Sequence, residues 1–577
     1  MLESRSTVSS GAPILEARDT KELEEEDHEN DFPWLHETLD KVGERQQEPQ
    51  ADIGQGRVAL SQLRGLPAEI WEIIFSMVCL STKSGYSLHI DCVSRPKVLD
   101  VPTITLSHVC SRWRRVVIGC PELWSSISIH FARLSYKSKY LLDFYLKNSS
   151  GHLLNVRAQQ LDDDLHPLSK LDEEIWELLA QHLWRCRQLH LEAEYFNLPE
   201  LLEGAAWQID FPNLIIYKAD IPNLHAREPD EIVEPGHSVW WKALLNAPKL
   251  STLSTYCLLP SEIFPYSQLT TLSIQFLYAY ETQELSQLFA LCTQLEELTL
   301  GLTWHGIGIL ELRGPVHLHP VELPCVHTLI IECHGLDMHD PLFAQVLGSL
   351  RMPRVEFLRL QCNGNSVMAN GWPTVLLSTL ERTPLLRNFL LFIECHENPP
   401  RSTRNTPSLV SLLHAIPNVE ALQLAIGRNS CVDGIVFLAH TDMFFSDLFT
   451  QLAGSGTSLV PKLADLRLFM TDVVLDAASL GRVVETAAAR GLGQEFGGQT
   501  SPLCYLSVTR FQPPPLSEYD LSSFMRAKRY ARLMPVELIP ELVERMHDLE
   551  EHGVEIMIQE ADGPPRVLKS HTMGPTR

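Results

Sequence analysis

The sequence predicts an α/β fold, in which a small all-α segment precedes an irregular solenoid with parallel strands on one side and helices on the convex side. Three observations lead to this prediction. A leucine-containing string of the form P-x-L-x-x-L-x-L recurs from residue 184 to residue 501. Amphipathic helical runs precede most of its copies. The chain has 577 residues, 45% of them apolar, which is too long for one ordinary core and apolar enough for a continuous one.

Each repeat predicts one helix, a tight turn and one strand. The last two apolar residues of the string are two apart, so they share one face of a strand. Stacked units then bury a continuous core that one unit cannot form alone. The spacing averages about 32 residues, close to that of long leucine-rich units. Clear copies begin at Pro248, Thr293, Pro324, Pro353, Pro417 and Pro461, and weaker ones begin at 184, 212, 267, 384 and 501.

Composition changes along the chain divide it into four parts. Residues 1–62 form an acidic leader that we expect to be disordered, because residues 1–60 hold fifteen acidic and six basic side chains. Residues 63–129 form a small helical domain, and residues 130–560 form the solenoid. Residues 561–577 are expected to be a flexible tail. Long loops are expected around 221–239, 301–321, 397–408 and 427–442.

The helical domain carries more apolar surface than its own core requires. Helices are predicted at 67–79 and 103–118, and the segment 81–101 between them is predicted to be a loop insertion. Pro67 is tolerated in a first helical turn. The first helix is apolar over more than half of its circumference, so it needs more than one partner surface.

Six short motifs follow one another through this domain: Leu66-Pro67, Glu69-Ile70, Ile74-Phe75, Val109-Cys110, Trp113-Arg114 and Leu123-Trp124. This ordered set resembles an F-box of the type found in mushroom-forming fungi. It covers about 60 residues. It implies docking on the Skp adaptor, and through it on a cullin ligase, by Leu66, Pro67, Ile70, Ile74, Phe75, Val109, Cys110 and Trp113. The implied function is that of the substrate-recognition subunit of an SCF-type ubiquitin ligase.

The repeats resemble the leucine-rich repeats that follow many F-boxes, although their spacing is irregular and the usual Asn or Cys after the strand is mostly missing. A target protein is expected to bind side chains that alternate with the buried leucines. These tentative substrate-binding residues are Glu332, Arg359, Gln361, Gln423 and Arg467. Two of them, Arg359 and Arg467, are predicted to pair with acidic target segments. The alternative is a repeat scaffold that acts outside a ubiquitin ligase.

Catalytic, metal and cofactor motifs are not found in the sequence. It contains no H-E-x-x-H, no phosphate-binding loop and no G-x-S-x-G elbow, and the pair His317 and His319 lacks further ligands. We therefore expect no enzyme activity, no metal and no cofactor.

Charge and cysteine usage set the expected surroundings of the protein. The net charge of −25 disfavours binding to nucleic acid. The sequence contains no run of eighteen apolar residues, so it predicts no membrane span. Thirteen cysteines without a C-x-x-C pair, together with the lack of an apolar leader, favour a reduced cytoplasmic or nuclear setting.

Overall fold

The fold is known from a computed structural model, which describes most of the repeat region and none of the leader. The described residues are 66–81, 85–91, 98–131, 134–160, 169–193, 209–220, 239–255, 264–274, 282–303, 319–334, 341–363, 372–395, 409–428, 459–471, 481, 485, 503–512, 532–533, 544, 546–547, 554–559 and 566–567. The predicted leader and most of the four predicted long loops lie outside these ranges.

Strands and helices alternate along the described part of the chain. The helices are α1 (Ala68–Leu80), α2 (Pro102–Val109), α3 (Ser111–Gly119), α4 (Tyr136–Asn148), α5 (Lys170–Ala180), α6 (Val239–Leu245), α7 (Thr282–Leu291), α8 (Pro341–Ser349), α9 (Thr374–Glu381) and α10 (Leu409–His414). The strands are β1 (Leu88–Asp91), β2 (Val98–Asp100), β3 (Ser126–His130), β4 (Leu154–Gln160), β5 (Cys186–Ala193), β6 (Ile216–Asp220), β7 (Thr252–Thr255), β8 (Thr271–Ile274), β9 (Glu297–Thr303), β10 (Val321–Glu322), β11 (Thr328–His334), β12 (Leu350–Arg351), β13 (Phe357–Asn363), β14 (Asn388–Cys395), β15 (Ala421–Arg428), β16 (Asp465–Thr471), β17 (Tyr505–Gln512), β18 (Arg532–Leu533), β19 (Glu555–Gln559) and β20 (Arg566–Val567).

One parallel ladder joins most of these strands. Its order is β1-β3-β4-β5-β6-β7-β8-β9-β11-β13-β14-β15-β16-β17-β19. The short strands β2, β18 and β20 pair antiparallel with β1, β17 and β19. A separate parallel pair is formed by β10 and β12. The predicted α/β class with a large parallel sheet is confirmed.

The repeated leucines form the core beneath this sheet. Leu298, Leu329 and Leu358 are direct neighbours on β9, β11 and β13, and each is at most 2% exposed. Two residues further on, Leu300, Ile331 and Leu360 form a second buried row. The periodicity of two in the sequence therefore marks the face of the sheet that the helices cover.

A recurring backbone arrangement holds each repeat to the next. The carbonyl of His327 accepts from the amides of Glu356 and Phe357 at 2.9 and 3.0 Å. The carbonyl of Glu356 then accepts from Arg387 and Asn388, both at 2.9 Å. The same double acceptance occurs at Ile215, Ser251, Thr270, Glu296, Arg387, Glu420 and Ala464. Because these bonds are independent of loop length, the strands keep register although the repeat spacing varies.

The helices predicted before the strands are present as α5, α6, α7, α8 and α10. Helix α5 shows why such a run is helical. Ser169 caps its N-terminus in a reciprocal capping box with Asp172. Ile175, Trp176 and Leu179 recur at helical spacing and are buried. Such helices bury one apolar stripe each.

The prediction that residues 81–101 form a loop insertion is wrong, because this segment supplies β1 and β2. Leu88 and Ile90 of β1 are buried and pair in parallel with β3. Helices α2 and α3 lie in the crossover between β1 and β3, so the sheet begins inside the predicted helical domain. The chain divides into two compact units, Met1–Ile74 and Phe75–Arg577. The expected boundary at residue 129 does not separate the helices from the sheet.

Two further details differ from the predictions. The helix expected over 103–118 is broken at Cys110, whose backbone is extended with φ −160° and ψ 166°. The expected flexible tail contains β20, which pairs with β19 through Met557 and Ile558. Backbone pairing to an otherwise open strand accounts for order at that point of the tail.

Candidate protein-interaction surfaces

Helix α1 carries two apolar stripes. Trp71, Phe75 and Cys79 recur every four residues and are at most 5% exposed. Four other apolar residues, spaced three and four apart, are 41–66% exposed: Ile70, Ile73, Met77 and Leu80. We call these four residues the α1 stripe. Contiguous apolar exposure of this kind is typical of an interaction surface.

The eight predicted adaptor-binding residues are distributed unequally between surface and core. Phe75 is completely buried and packs edge-to-face on Trp113 at 4.9 Å between ring centroids, so it is not a surface contact. The other seven are exposed or half-buried: Leu66, Pro67, Ile70, Ile74, Val109, Cys110 and Trp113. Sequence reasoning missed Ile73 and Leu80, although their spacing from Ile70 and Met77 is the signal that identifies them.

The junction between α2 and α3 also exposes apolar surface. Val109 is 58% exposed at the end of α2. Cys110 caps α3, and its Sγ accepts from the Trp113 amide at 3.4 Å. Thr103 fixes the other end of α2 by donating to the Leu123 carbonyl at 2.9 Å. The junction is thus held in place by hydrogen bonds while its apolar tip faces solvent.

Polar anchors connect this hairpin to the rest of the unit Phe75–Arg577. Trp124 donates from Nε1 to the Val117 carbonyl at 2.8 Å. Tyr145 donates from its hydroxyl to the Ser87 carbonyl at 3.0 Å, and burial raises the pKa of this phenol. These buried bonds are costly to break. The first holds α3 to the turn at Trp124, and the second holds α4 to the segment before β1.

The face of the sheet opposite the leucine rows, called the open face below, carries the five predicted substrate-binding residues. Register places Arg359, Gln423 and Arg467 in one row across β13, β15 and β16. Glu332 and Gln361 are neighbours in the next row. Gln361 is only 2% exposed, so the expectation that all five are accessible is wrong for this residue.

Arg467 has an intramolecular partner for its charge. Its Nε lies 3.0 and 3.1 Å from the two carboxylate oxygens of Asp465, and its Nη2 lies 2.8 Å from one of them. The Tyr505 ring lies 4.9 Å from its guanidinium carbon. The hydrogen bonds to Asp465 raise the pKa of Arg467 further. Arg359 differs, since only its Nη2 contacts Glu332 and Gln361, at 3.4 and 3.3 Å.

A polar network at the other end of the open face was not predicted. Glu192 accepts from Arg157 Nε at 2.7 Å and also from Gln159. Its Oε1 lies 3.1 Å from His190 Nε2. The signal is the alternation in V-R-A-Q and L-H-L-E, where a charged or polar residue follows each core residue.

Two histidines extend this network onto β1 and β3. His89 Nδ1 lies 3.1 Å from Ser128 Oγ, and His130 Nδ1 lies 3.4 Å from Asp91. Burial lowers the pKa of both histidines, and for His130 this effect outweighs the attraction of Asp91. Both imidazoles therefore favour the neutral form.

Several cysteines among the described residues are buried in the core. Burial raises the pKa of the Cys186, Cys292 and Cys333 thiols to about 12, so they are poor nucleophiles. Within the ranges given above, no group of three His, Cys, Asp or Glu side chains is arranged to hold a metal ion. Of the histidine pair considered from the sequence, His319 is exposed and His317 lies outside the described residues.

Comparison with protein-family models and with curated proteins yields no match to this chain. No helix among the described residues has the length and apolar character needed to cross a bilayer.

Proposed function

We propose that this chain is the substrate-recognition subunit of an SCF-type ubiquitin ligase. In this proposal the F-box-like segment binds the Skp adaptor, and through it a cullin, while the repeats hold a target protein for ubiquitin-dependent degradation. The chain itself is not an enzyme, needs no cofactor and acts in the cytoplasm or nucleus. It binds neither nucleic acid nor membranes.

The α1 stripe is the observation that carries the proposal. Its four residues are exposed although the same helix already buries Trp71, Phe75 and Cys79. Exposed aliphatic side chains at three- and four-residue spacing fit a helical partner groove or helix face. Val109 and Cys110 add exposed contacts from the F-box-like motif. The leucine-bearing repeats and their open face supply the surface for a target.

The experiment is co-expression of the full chain with a Skp-type adaptor from a mushroom-forming fungus, followed by affinity purification. Replacing Ile73, Met77 and Leu80 with Ala should abolish the complex, because each truncated anchor costs roughly 1 kcal/mol or more. A matched triple replacement of Leu245, Leu291 and Leu385 with Ala should leave it intact, since these side chains are 39–45% exposed on other elements.

Retention of the adaptor by the α1-stripe variant would overturn this docking surface. If the unaltered chain fails to bind the adaptor yet captures a target through its open face, the alternative function, a repeat scaffold outside a ligase, is correct. Thermal unfolding of both triple variants serves as the control for folding.

A further inference from the structure

Arg359 and Arg467 have the same predicted role, which is to pair with acidic target segments. They differ in how much of their hydrogen-bonding capacity is used. Arg467 has both Nε and Nη2 on the carboxylate of Asp465, with its closest contact at 2.8 Å. A short bidentate pair of this type satisfies the charge within the protein. Arg467 is therefore occupied before any target arrives.

Arg359 has unused donors. Its two contacts, to Glu332 Oε1 at 3.4 Å and to Gln361 Oε1 at 3.3 Å, both involve Nη2 and are long. Its Nε and Nη1 contact no acceptor among the described residues. A guanidinium has five N–H donors, so those two nitrogens leave three of them without a partner there. The side chain is 24% exposed, and a ligand can therefore reach it.

Gln361 adds a second unsatisfied donor beside Arg359. The residue is 2% exposed, and its Nε2 has no hydrogen-bond partner in the described part of the protein. Its Oε1 accepts from Arg359, which fixes the orientation of the amide because a guanidinium has no acceptor to offer Nε2. Buried donors are almost always paired, so this amide is a polar group that the described residues leave unsatisfied next to Arg359.

Apolar side chains border these donors. Register places Ile330 and Leu390 on either side of Arg359, and Phe392 beside Gln361. Phe392 is 7% exposed, whereas Ile330 and Leu390 are half-buried. Glu332 is the charged neighbour of Gln361, and its contact with Arg359 Nη2 leaves Nε and Nη1 without an acceptor among the described residues. The ligand that fits is an acceptor attached to an apolar group.

We propose that Arg359 and Gln361 form a carboxylate-recognition site, which takes an Asp or Glu side chain next to an apolar residue in an extended target segment. Arg359 binds the carboxylate through its open donors. Gln361 is a positioning residue, because its Oε1 accepts from the guanidinium and holds it in place. This inference rests on the proposed function, because it names the class of target that the open face selects.

The test is a display selection of random eight-residue peptides on the immobilised full chain. The unaltered protein should enrich Asp or Glu directly beside Leu, Ile, Val or Phe. Arg359→Gln should lose this enrichment. Arg467→Gln is the matched control and should keep it, since Arg467 is already paired with Asp465. Gln361→Met should weaken it, because the guanidinium of Arg359 loses the Oε1 contact that positions it.

A selected peptide and its Glu→Gln counterpart then give the affinity. The acidic peptide should bind the unaltered chain roughly tenfold more tightly or better, as expected for a charge-assisted hydrogen bond. Equal affinity of the two peptides, or unchanged enrichment by Arg359→Gln, would overturn the site. Because both peptides are measured on the unaltered chain, their comparison tests the site even if the Arg359→Gln variant fails to fold.

Adaptor binding is measured on the same proteins, so that a failure of the carboxylate site can be told apart from a failure of the ligase function. Loss of acidic selectivity with the adaptor still bound rejects only the carboxylate site. Acidic selectivity without adaptor binding rejects only the ligase function.

Discussion

Helix α1 and helix α5 are of similar length, with 13 and 11 residues, yet they use their apolar residues differently. Helix α5 buries Ile175, Trp176 and Leu179 along one stripe. Helix α1 buries one stripe and exposes a second one, whose Met77 is 66% exposed. A repeat helix such as α5 therefore places its largest apolar side chains in the core, whereas α1 exposes the four residues of the α1 stripe in addition to the three that it buries.

This distinction separates residues that stabilise the protein from residues that are available to a partner. The buried rows of the sheet and the α1 stripe consist of the same side-chain types. Substitution in the buried rows should lower the free energy of unfolding strongly, whereas substitution in the α1 stripe should hardly change it. Four measurements test this expectation.

The largest effect is expected in the leucine rows. Leu358 is 1% exposed between Leu329 and Phe389, so Leu358→Ala removes a side chain from a core that cannot collapse around the gap. We expect the free energy of unfolding to fall by about 2–5 kcal/mol. Urea unfolding of the full chain measures it. A change below about 1 kcal/mol would show that this row is loosely packed.

A smaller loss is expected in the polar network of the open face. Glu192→Gln leaves Arg157 without its carboxylate, and both side chains are less than one-fifth exposed. We expect a loss of about 1–3 kcal/mol in the free energy of unfolding. Arg467→Gln should cost less, because that pair is more exposed. A larger loss for Arg467→Gln than for Glu192→Gln would contradict the expectation that the less exposed ion pair contributes more to stability.

His89, which is half-buried, and His130, which is buried, predict a moderate dependence of stability on pH. Burial lowers the pKa of His89 and His130, so the unfolded chain binds more protons once the pH falls below about 6.5. Stability is therefore complete above this pH and is lost as the pH falls toward the folded-state pKa values. The groups that face His130 are Asp91, Arg157, Glu192 and His89.

Unfolding measured between pH 7.5 and pH 5.5 checks this dependence. The double replacement of His89 and His130 with Asn should flatten the pH profile relative to the unaltered chain. An identical slope in both proteins would show that other groups govern the loss.

The smallest effect on stability is expected in the α1 stripe. Ile73→Ala combined with Met77→Ala should change the free energy of unfolding by no more than about 0.5 kcal/mol, because both side chains are more than half exposed. The same urea titration as for Leu358→Ala gives the comparison. A loss as large as that in the leucine row would mean that the stripe belongs to the core.

The leucine periodicity predicted the sheet because it depends on local geometry alone. Leu298 and Leu300 are two residues apart, and a strand places residues at that spacing on one face. The strands β1 and β2 escaped prediction because four and three residues give too short a pattern. They pair with each other, and β1 also pairs with β3, whose residues lie more than 30 positions further along the chain.

The F-box-like motif predicted part of the candidate adaptor surface. Ile70, Val109 and Cys110 are exposed as the resemblance implies, while Phe75 is buried against Trp113. A motif specifies which residue types recur but not which side of a helix they occupy. The exposed side was decided by the packing of Trp71, Phe75 and Cys79.

The sequence by itself determined the α/β class, the succession of helices and strands, and the rows of buried leucines, because these follow from side-chain spacing within one repeat. Asp465 lies two residues before Arg467 on the same strand, so this ion pair can be read from the sequence, whereas Phe357 occupies the matching position before Arg359. Only the tertiary structure decided that Glu332 of a neighbouring strand reaches Arg359 and that the described residues offer no acceptor to its Nε and Nη1. The physical reason is that Glu332 belongs to another repeat, and only folding brings that repeat into contact.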